Sequence, residues 1–191
     1  MKANVTGVIL SGGRSSRMGG QDKGLMLLNG EPLYQHVLKR LQPQVSTVII
    51  SANRHQDRYQ RSGCQVIGDS LDDYPGPLAG MLAALQNIET EWAAFTACDT
   101  PFIPADYVAR LWQAKAEAPI VWVKSTQRDH PMLSLINRRC VDELLHFLQQ
   151  GERKVMHFMR QQAGHAVEFT EEEQVFMNVN TAEELRMAGE L

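Results

Sequence analysis

The densest collection of chemically useful residues lies between positions 10 and 23: Leu10-Ser11-Gly12-Gly13-Arg14-Ser15-Ser16-Arg17-Met18-Gly19-Gly20-Gln21-Asp22-Lys23. This stretch holds four glycines, two arginines, one lysine and three serines. Glycine lets the main chain approach a ligand closely. Successive N–H groups in such a turn converge on anionic oxygens. Arg14, Arg17 and Lys23 add positive charge, the arginines as bidentate forks and the lysine as a movable point charge. Together these are the parts of a phosphate-binding loop. The segment is neither of the two common glycine motifs. Walker A ends in Gly-Lys-Ser/Thr, whereas Lys23 follows Asp22 and precedes Gly24; the GxGxxG fingerprint is absent from Gly12–Gly20. As a mere connection, the turn would gather three cations without use.

Two acids stand at the ends of apolar runs. Asp69 follows Cys64–Gly68 and Asp99 follows Trp92–Cys98. Mg²⁺ takes oxygen ligands and is commonly held by one or two carboxylates together with substrate phosphates. Asp99 is the candidate metal ligand, and Asp69 the candidate for a nucleotide contact or for orienting metal-bound water; each also suits a turn or helix cap. Asp72 and Asp73 read as loop acids. Pro75-Gly76-Pro77-Leu78-Ala79-Gly80 opens a helix, Pro77 suiting a first helical position, and the N–H groups exposed there can bind an anion or a base edge; a plain turn is the alternative. The chain has no GxSxG elbow, no HExxH and no Cys/His pair at nucleophile spacing. Its histidines are scattered; His130, within Arg128-Asp129-His130-Pro131, is the one whose setting stands out.

These residues need a scaffold that brings distant loops together. β-branched runs predict strands over Thr6–Leu10, Val45–Ala52, Cys64–Gly68, Trp92–Cys98, Ile120–Lys124, Met132–Ile136 and Ala166–Phe169. Between them, helical spacing predicts helices over Leu33–Leu41, Pro77–Leu85, Pro104–Ala116 (with Val108, Leu111 and Trp112 on one face), Asp142–Gln150 and Glu152–Gln161. Thr181 and Glu184 form a capping box that starts a last helix over Thr181–Met187. This alternation predicts a single α/β domain over residues 1–191, with a mostly parallel sheet and helices on both faces. Ligands bind such sheets outside the carboxyl ends of the strands, which selects the loops after Leu10, Ala52, Gly68 and Cys98.

Composition excludes other classes. The chain has 191 residues, 43% of them hydrophobic, which supports a substantial core. A net charge of −3 argues against a nucleic-acid partner. Cys64, Cys98 and Cys140 are too few and too scattered for a disulfide framework or a zinc site. No apolar run reaches membrane-spanning length, and the N-terminal apolar stretch breaks at Gly12-Gly13, as a strand does, rather than ending in a cleavage site. The expectation is a cytoplasmic monomer that binds neither membrane nor nucleic acid.

The run Leu10-Ser11-Gly12-Gly13, Ser16-Arg17-Met18-Gly19 and Lys23 resembles the LxGGxxxRMGxxK signature, with one residue more between Gly19 and Lys23, of a nucleotidyltransferase superfamily that includes sugar-1-phosphate uridylyltransferases. Ser51-Ala52-Asn53-Arg54, Tyr74–Gly80, Cys98-Asp99-Thr100-Pro101, Gly151–Met156 and Phe176–Leu185 narrow the resemblance to the molybdenum cofactor guanylyltransferases, across nearly the whole chain. The resemblance implies a Rossmann-like three-layer sandwich with a mostly parallel, mixed central sheet. It implies transfer of GMP from GTP to the terminal phosphate of a molybdopterin-type cofactor, with Mg²⁺ as cofactor. It carries GTP binding onto Leu10, Ser11, Gly12, Gly13, Lys23, Asp69 and Asp99, with Asp99 also on the metal. Pro77 and Gly80 join them from the helix start. Ser51 stands where the family often has Asn, so that contact is shortened. Arg17, Gly20, Asn178 and Asn180 match positions tied to activity or pterin binding. Cofactor-delivery proteins and molybdoenzyme chaperones are the partners implied.

In that chemistry the acceptor phosphate is itself the nucleophile, which agrees with the missing triad. Catalysis then rests on positioning and charge neutralisation: Lys23 and Arg17 on the phosphates, Asp99 on Mg²⁺, and Arg128, Arg153 and Lys154 as a wall for the anionic acceptor. The rival readings are a cytidylyltransferase or sugar-phosphate nucleotidyltransferase, a non-catalytic nucleotide-binding regulator, and an interaction protein, which leaves the cationic glycine loop without a use.

Overall fold

The computed structural model describes residues 3–11, 22–69, 76–179 and 181–190. Its centre is a seven-stranded sheet built from β1 (Ala3–Leu10), β4 (Val45–Ser51), β5 (Gln65–Ile67), β6 (Trp92–Ala97), β7 (Ile120–Lys124), β8 (Asp129–Asn137) and β9 (His165–Glu168). β2 (Leu27–Leu28) and β3 (Glu31–Pro32) form a small separate hairpin. The order across the main sheet is β5-β4-β1-β6-β8-β7-β9. All neighbouring pairs are parallel except the two that β8 makes with β6 and β7. The sheet is therefore mostly parallel and mixed.

The central strands are apolar on both sides because helices cover both faces. Val5 and Ile9 of β1 join a cluster with α1 (Leu33–Leu41) and α4 (Tyr107–Ala114). Val8 and Leu10, one residue out of phase, join the opposite cluster with α3 (Pro77–Asn87), α5 (Val141–Gln149) and α6 (Val155–Gln161). Period-two alternation thus divides one strand between two cores. Each fully buried Val, Leu or Ile contributes about 1.5–3 kcal/mol. α7 (Ala182–Ala188) opens with the expected capping box, Thr181 Oγ1 accepting from Glu184 N at 3.1 Å while Glu184 Oε2 accepts from Thr181 N at 3.1 Å. Its Ala188 packs with Leu28, Leu33 and Val179.

Several boundaries differ from the pattern in the sequence. The helix expected from Pro104 begins at Tyr107, because Pro104 O closes a turn onto Tyr107 N. Trp112, at helical spacing with the buried Val108 and Leu111, is 39% exposed and lies edge-on to Trp92, under Lys115. The helix expected from Glu152 begins at Val155, since Gly151 ends α5 at φ 82° and Lys154 is an extended cap. α2 (Gln56–Gln60) has no counterpart in the apolar pattern; it is a short polar turn that buries Tyr59 alone. β8 begins three residues before the expected Met132, at Asp129. Pro131, which has no N–H to give to a ladder, falls where the register slips: Trp122 pairs with Ser134 but Val123 pairs with His130. The extra residues of β8 bulge between β6 and β7, and Pro131 and Met132 line a cleft described below.

Candidate active site

Four strand ends lie level. Leu10 pairs with Ser51 on one side and Ala97 on the other, and Ser51 pairs with Ile67. The chain therefore leaves the sheet along one edge at Ser11, Ala52, Gly68 and Cys98. From β1 the strand order runs outward through β4 to β5, and the chain then returns to β6 on the other side of β1. That reversal leaves a crevice between the loops following β1 and β6.

The structure brings the nucleotide-binding candidates Leu10, Ser51, Asp69 and Gly80 to one point. A β-carbon built on Gly80 would lie 3.2 Å from Leu10 Cδ2, 3.3 Å from Ser51 Oγ and 3.6 Å from Asp69 Oδ1. Gly80 thus lets the first turn of α3 press onto the strand ends, with Pro77 as the first residue of the helix. The helix N-terminus carries partial positive charge toward this edge. Asp69 is held by a residue absent from the sequence-derived candidates. Asn53 Nδ2 donates to Asp69 Oδ2 at 2.9 Å, while Asn53 Oδ1 accepts from Asp69 N at 2.8 Å. One amide therefore fixes both the backbone and the carboxylate of Asp69.

Lys23 and Asp99 meet across the crevice, Nζ to Oδ2 at 3.8 Å. Asp99 is 8% exposed. Burial raises its pKa, opposed by the charge of Lys23 and a backbone hydrogen bond. A carboxylate held this way gains from any additional cation.

Lys23 owes its place to a buried network whose members lie far apart in the sequence. It starts the 3₁₀ turn Lys23–Leu25, capped by Asp22. Asp22 Oδ1 accepts from Gly24 N at 3.2 Å and from Tyr59 Oη at 2.6 Å, while Oδ2 lies 3.3 Å from His55 Nδ1. Tyr59 is fully buried, and burial pushes its hydroxyl pKa well up, aided by the negative charge nearby; it stays a donor. Gly24 sits where a β-carbon would lie 2.5 Å from Tyr59 Oη and 3.2 Å from Cys98 Cβ. The signal available in the sequence was an acid directly preceding the loop's last cation.

The C-terminal segment closes the other side. Val179 N donates to Asp99 O at 2.8 Å, and Thr100 Oγ1 donates to Asn178 Oδ1 at 3.0 Å. Asn178 is thereby placed beside the candidate metal ligand. A cleft of about 370 Å³ extends from Thr100 and Asn178 to Arg128, His130 and the bulged Pro131-Met132. Arg153 and Lys154 are exposed before α6 and are not among the residues lining it. Gly12, Gly13, Arg17, Gly20 and Asn180 lie outside the described residues, as does most of the cationic loop. Among the described residues no three His, Cys, Asp or Glu side chains cluster as a preformed metal cage, and no helix is long and apolar enough to cross a membrane.

Comparison with known proteins agrees with this architecture. Residues 7–167 match the model of the MobA-like NTP transferase domain. A protein of Serratia proteamaculans named molybdenum cofactor guanylyltransferase is 45% identical over 184 residues, covering 96% of this chain and 93% of that protein. A Yersinia pestis protein of the same name is 46% identical over 181 residues, 95% and 93% of the two chains. Among solved structures, the molybdopterin-guanine dinucleotide biosynthesis protein A of Archaeoglobus fulgidus superposes with a TM-score of 0.79 at 25% identity over 97% of both chains. With its level strand ends, its Lys23–Asp99 pair and a family match over most of its length, the chain belongs to the MobA-like NTP transferase family.

Proposed function

We propose that this protein transfers GMP from GTP to the terminal phosphate of a molybdopterin-type cofactor and releases pyrophosphate. The observation that carries the reading is the Lys23–Asp99 pair set in the crevice between β1 and β6, in a chain whose relatives carry a guanylyltransferase name. An oxygen of the acceptor phosphate forms a bond to the α-phosphorus of GTP as the bond from that phosphorus to the β-phosphate oxygen breaks, in line. No side chain needs to become a nucleophile. The chain's part is to hold two anions together and offset their charge. Lys23 meets the phosphates with its ammonium, and Arg17 adds a fork. Asp69, clamped by Asn53, and the N-terminus of α3 bind the nucleotide against Leu10 and Ser51. Asn178 orients the acceptor.

Asp99 fits a Mg²⁺ ion. It is one buried carboxylate, raised in pKa by burial, beside a cleft open to substrate phosphates, and Mg²⁺ is commonly completed by phosphates and water. When bound, the ion neutralises charge developing on phosphate oxygens. The acceptor is expected to reach the cleft from a delivery protein, with the protein acting as a monomer in the cytoplasm.

The test is thermal stabilisation by GTP, CTP, UTP and ATP with Mg²⁺, followed by pyrophosphate release with molybdopterin as acceptor. A ligand that binds only the folded state adds about 2.7 kcal/mol at a hundredfold excess over Kd. A shift and turnover with GTP alone, both lost in Asp99→Ala, supports the reading. A preference for CTP or UTP replaces the donor. An Asp99→Ala enzyme with normal turnover and normal Mg²⁺ dependence removes the metal assignment.

A further inference from the structure

The cleft beside Asp99 has a wall that the transfer step does not use. The turn between β7 and β8 brings Arg128 to it, the start of β8 brings His130, and the 3₁₀ turn Glu173–Phe176 brings Phe176. Glu173 Oε1 accepts from Arg128 Nε at 3.1 Å and lies 2.9 Å from His130 Nε2. The same ring nitrogen is 3.2 Å from Ser125 Oγ. The imidazole lies against Phe176, ring centres 5.3 Å apart. His130 is 10% exposed at its side chain and Glu173 18%, while Arg128 is 66% exposed. One well-covered carboxylate thus ties down a long, exposed cation and a packed ring.

A carboxylate only accepts, so we assign the ring proton to Nε2, which leaves Nδ1 of the neutral ring as an acceptor. Burial lowers the pKa of His130 against the pull of Glu173; Arg128 lowers it further and Asp129 opposes. Among the described residues no protein group bonds Nδ1 of His130, and none bonds the terminal amino groups of Arg128. Arg128, His130, Met132 and Phe176 line one cleft, so a ring lone pair, a fork of donors and apolar surface share its lining. A planar heteroaromatic ring with adjacent N–H and C=O groups is complementary to it.

We propose that Glu173 is a positioning residue that fixes Arg128 and His130 as a donor–acceptor pair reading the ring edge of the acceptor, whose phosphate end lies toward Thr100 and Asn178. This rests on the transfer to a pterin acceptor proposed above. It is tested by steady-state kinetics with molybdopterin and GTP for the wild type, Glu173→Gln, His130→Phe and His130→Asn. Glu173→Gln and His130→Phe are expected to raise the acceptor KM about tenfold, as for loss of a hydrogen bond involving a charged or buried group. They are expected to leave the GTP KM and the GTP-induced thermal shift unchanged. His130→Asn keeps a side-chain acceptor near the position of Nδ1 and is expected to recover most of the loss. An unchanged acceptor KM in Glu173→Gln and His130→Phe, in an enzyme whose wild type turns over, overturns this assignment alone. An equal rise in the GTP KM also overturns it, since a merely structural role would act on both substrates. A wild type that never uses molybdopterin overturns the transfer reading itself.

Discussion

Gly24→Ala probes the buried turn that holds Lys23. The new β-carbon would lie 2.5 Å from Tyr59 Oη, 3.2 Å from Cys98 Cβ and 3.3 Å from Tyr59 Cε1. Comfortable carbon contacts begin at about 3.5 Å, so the nearest contact overlaps by about 1 Å. Tyr59 has little room to recede. It is fully buried, bonded to Asp22, and packed edge-on to Tyr34 at 4.8 Å. Either the Lys23–Leu25 turn moves, or Tyr59 releases Asp22. Overpacking costs about 1–3 kcal/mol, and loss of a hydrogen bond to a charged group about 1.5–3 kcal/mol. At about 2–4 °C per kcal/mol for a chain of this size, Tm is expected to fall by roughly 4–8 °C. A shift of about 1 Å at a substrate-positioning group can cost about 100-fold, and kcat/KM for GTP is expected to fall by that order. The decisive measurement is the double variant Gly24→Ala/Tyr59→Phe, assayed for pyrophosphate release. Removing Oη leaves the nearest contacts at 3.2 and 3.3 Å, so the double variant should be more active than Gly24→Ala alone. A Gly24→Ala enzyme within about threefold of wild type, with an unchanged Tm, would refute the claim that this packing places Lys23. A loss that Tyr59→Phe does not relieve, where Tyr59→Phe alone keeps its activity, would refute the steric cause.

Other perturbations separate binding, charge and pH. Asp99→Asn is expected to abolish turnover yet leave Tm equal or higher without Mg²⁺ and nucleotide, because burial disfavours the charge that the substitution removes; calorimetry of the unliganded protein checks this. Asn53→Ala removes the two hydrogen bonds that the amide makes to the carboxylate and backbone N–H of Asp69 and is expected to raise the GTP KM about tenfold with little change in kcat, read by initial rates at varied GTP. His130 has a folded pKa below its ordinary value because burial disfavours the imidazolium. The unfolded chain therefore binds a proton that the folded chain refuses, and stability falls as pH drops below about 6.5 toward the folded pKa. Glu173, lowered by the donors Ser125 and Arg128 and by the charges of His130 and Arg128 despite its burial, acts in the same direction at lower pH. Tm measured between pH 5 and 8 should decline on the acid side, and His130→Gln should flatten the decline near pH 6.5; an unaltered profile would remove His130 as its cause.

Local rules sufficed for much of the fold. β1, β4, β6 and β7 are buried on both faces, so their apolar runs stand out against polar loops, and α1, α3 and α5 carry apolar residues at helical spacing over two turns or more. Thr181 and Glu184 announce α7 because a capping box lies within four residues of chain. Asp69 and Asp99 were visible as candidates because each stands at the end of an apolar run, where a parallel sheet collects its ligands, and Lys23 because it closes the cationic glycine stretch that follows the first strand. Which of them meet was not visible. The 3.8 Å approach of Lys23 to Asp99, the Asn53 clamp on Asp69, and the Asp22–Tyr59 bond join residues 16 to 76 positions apart. Such pairs depend on strand order and register, and no local spacing encodes them. The same holds for Glu173, 43 residues from His130, and for the bulge that Pro131 forces into β8. The residue types and strand ends were set by the sequence alone through periodicity and side-chain chemistry. The partnerships among buried polar groups were decided only when tertiary packing removed water and left each group to find its partner in the protein.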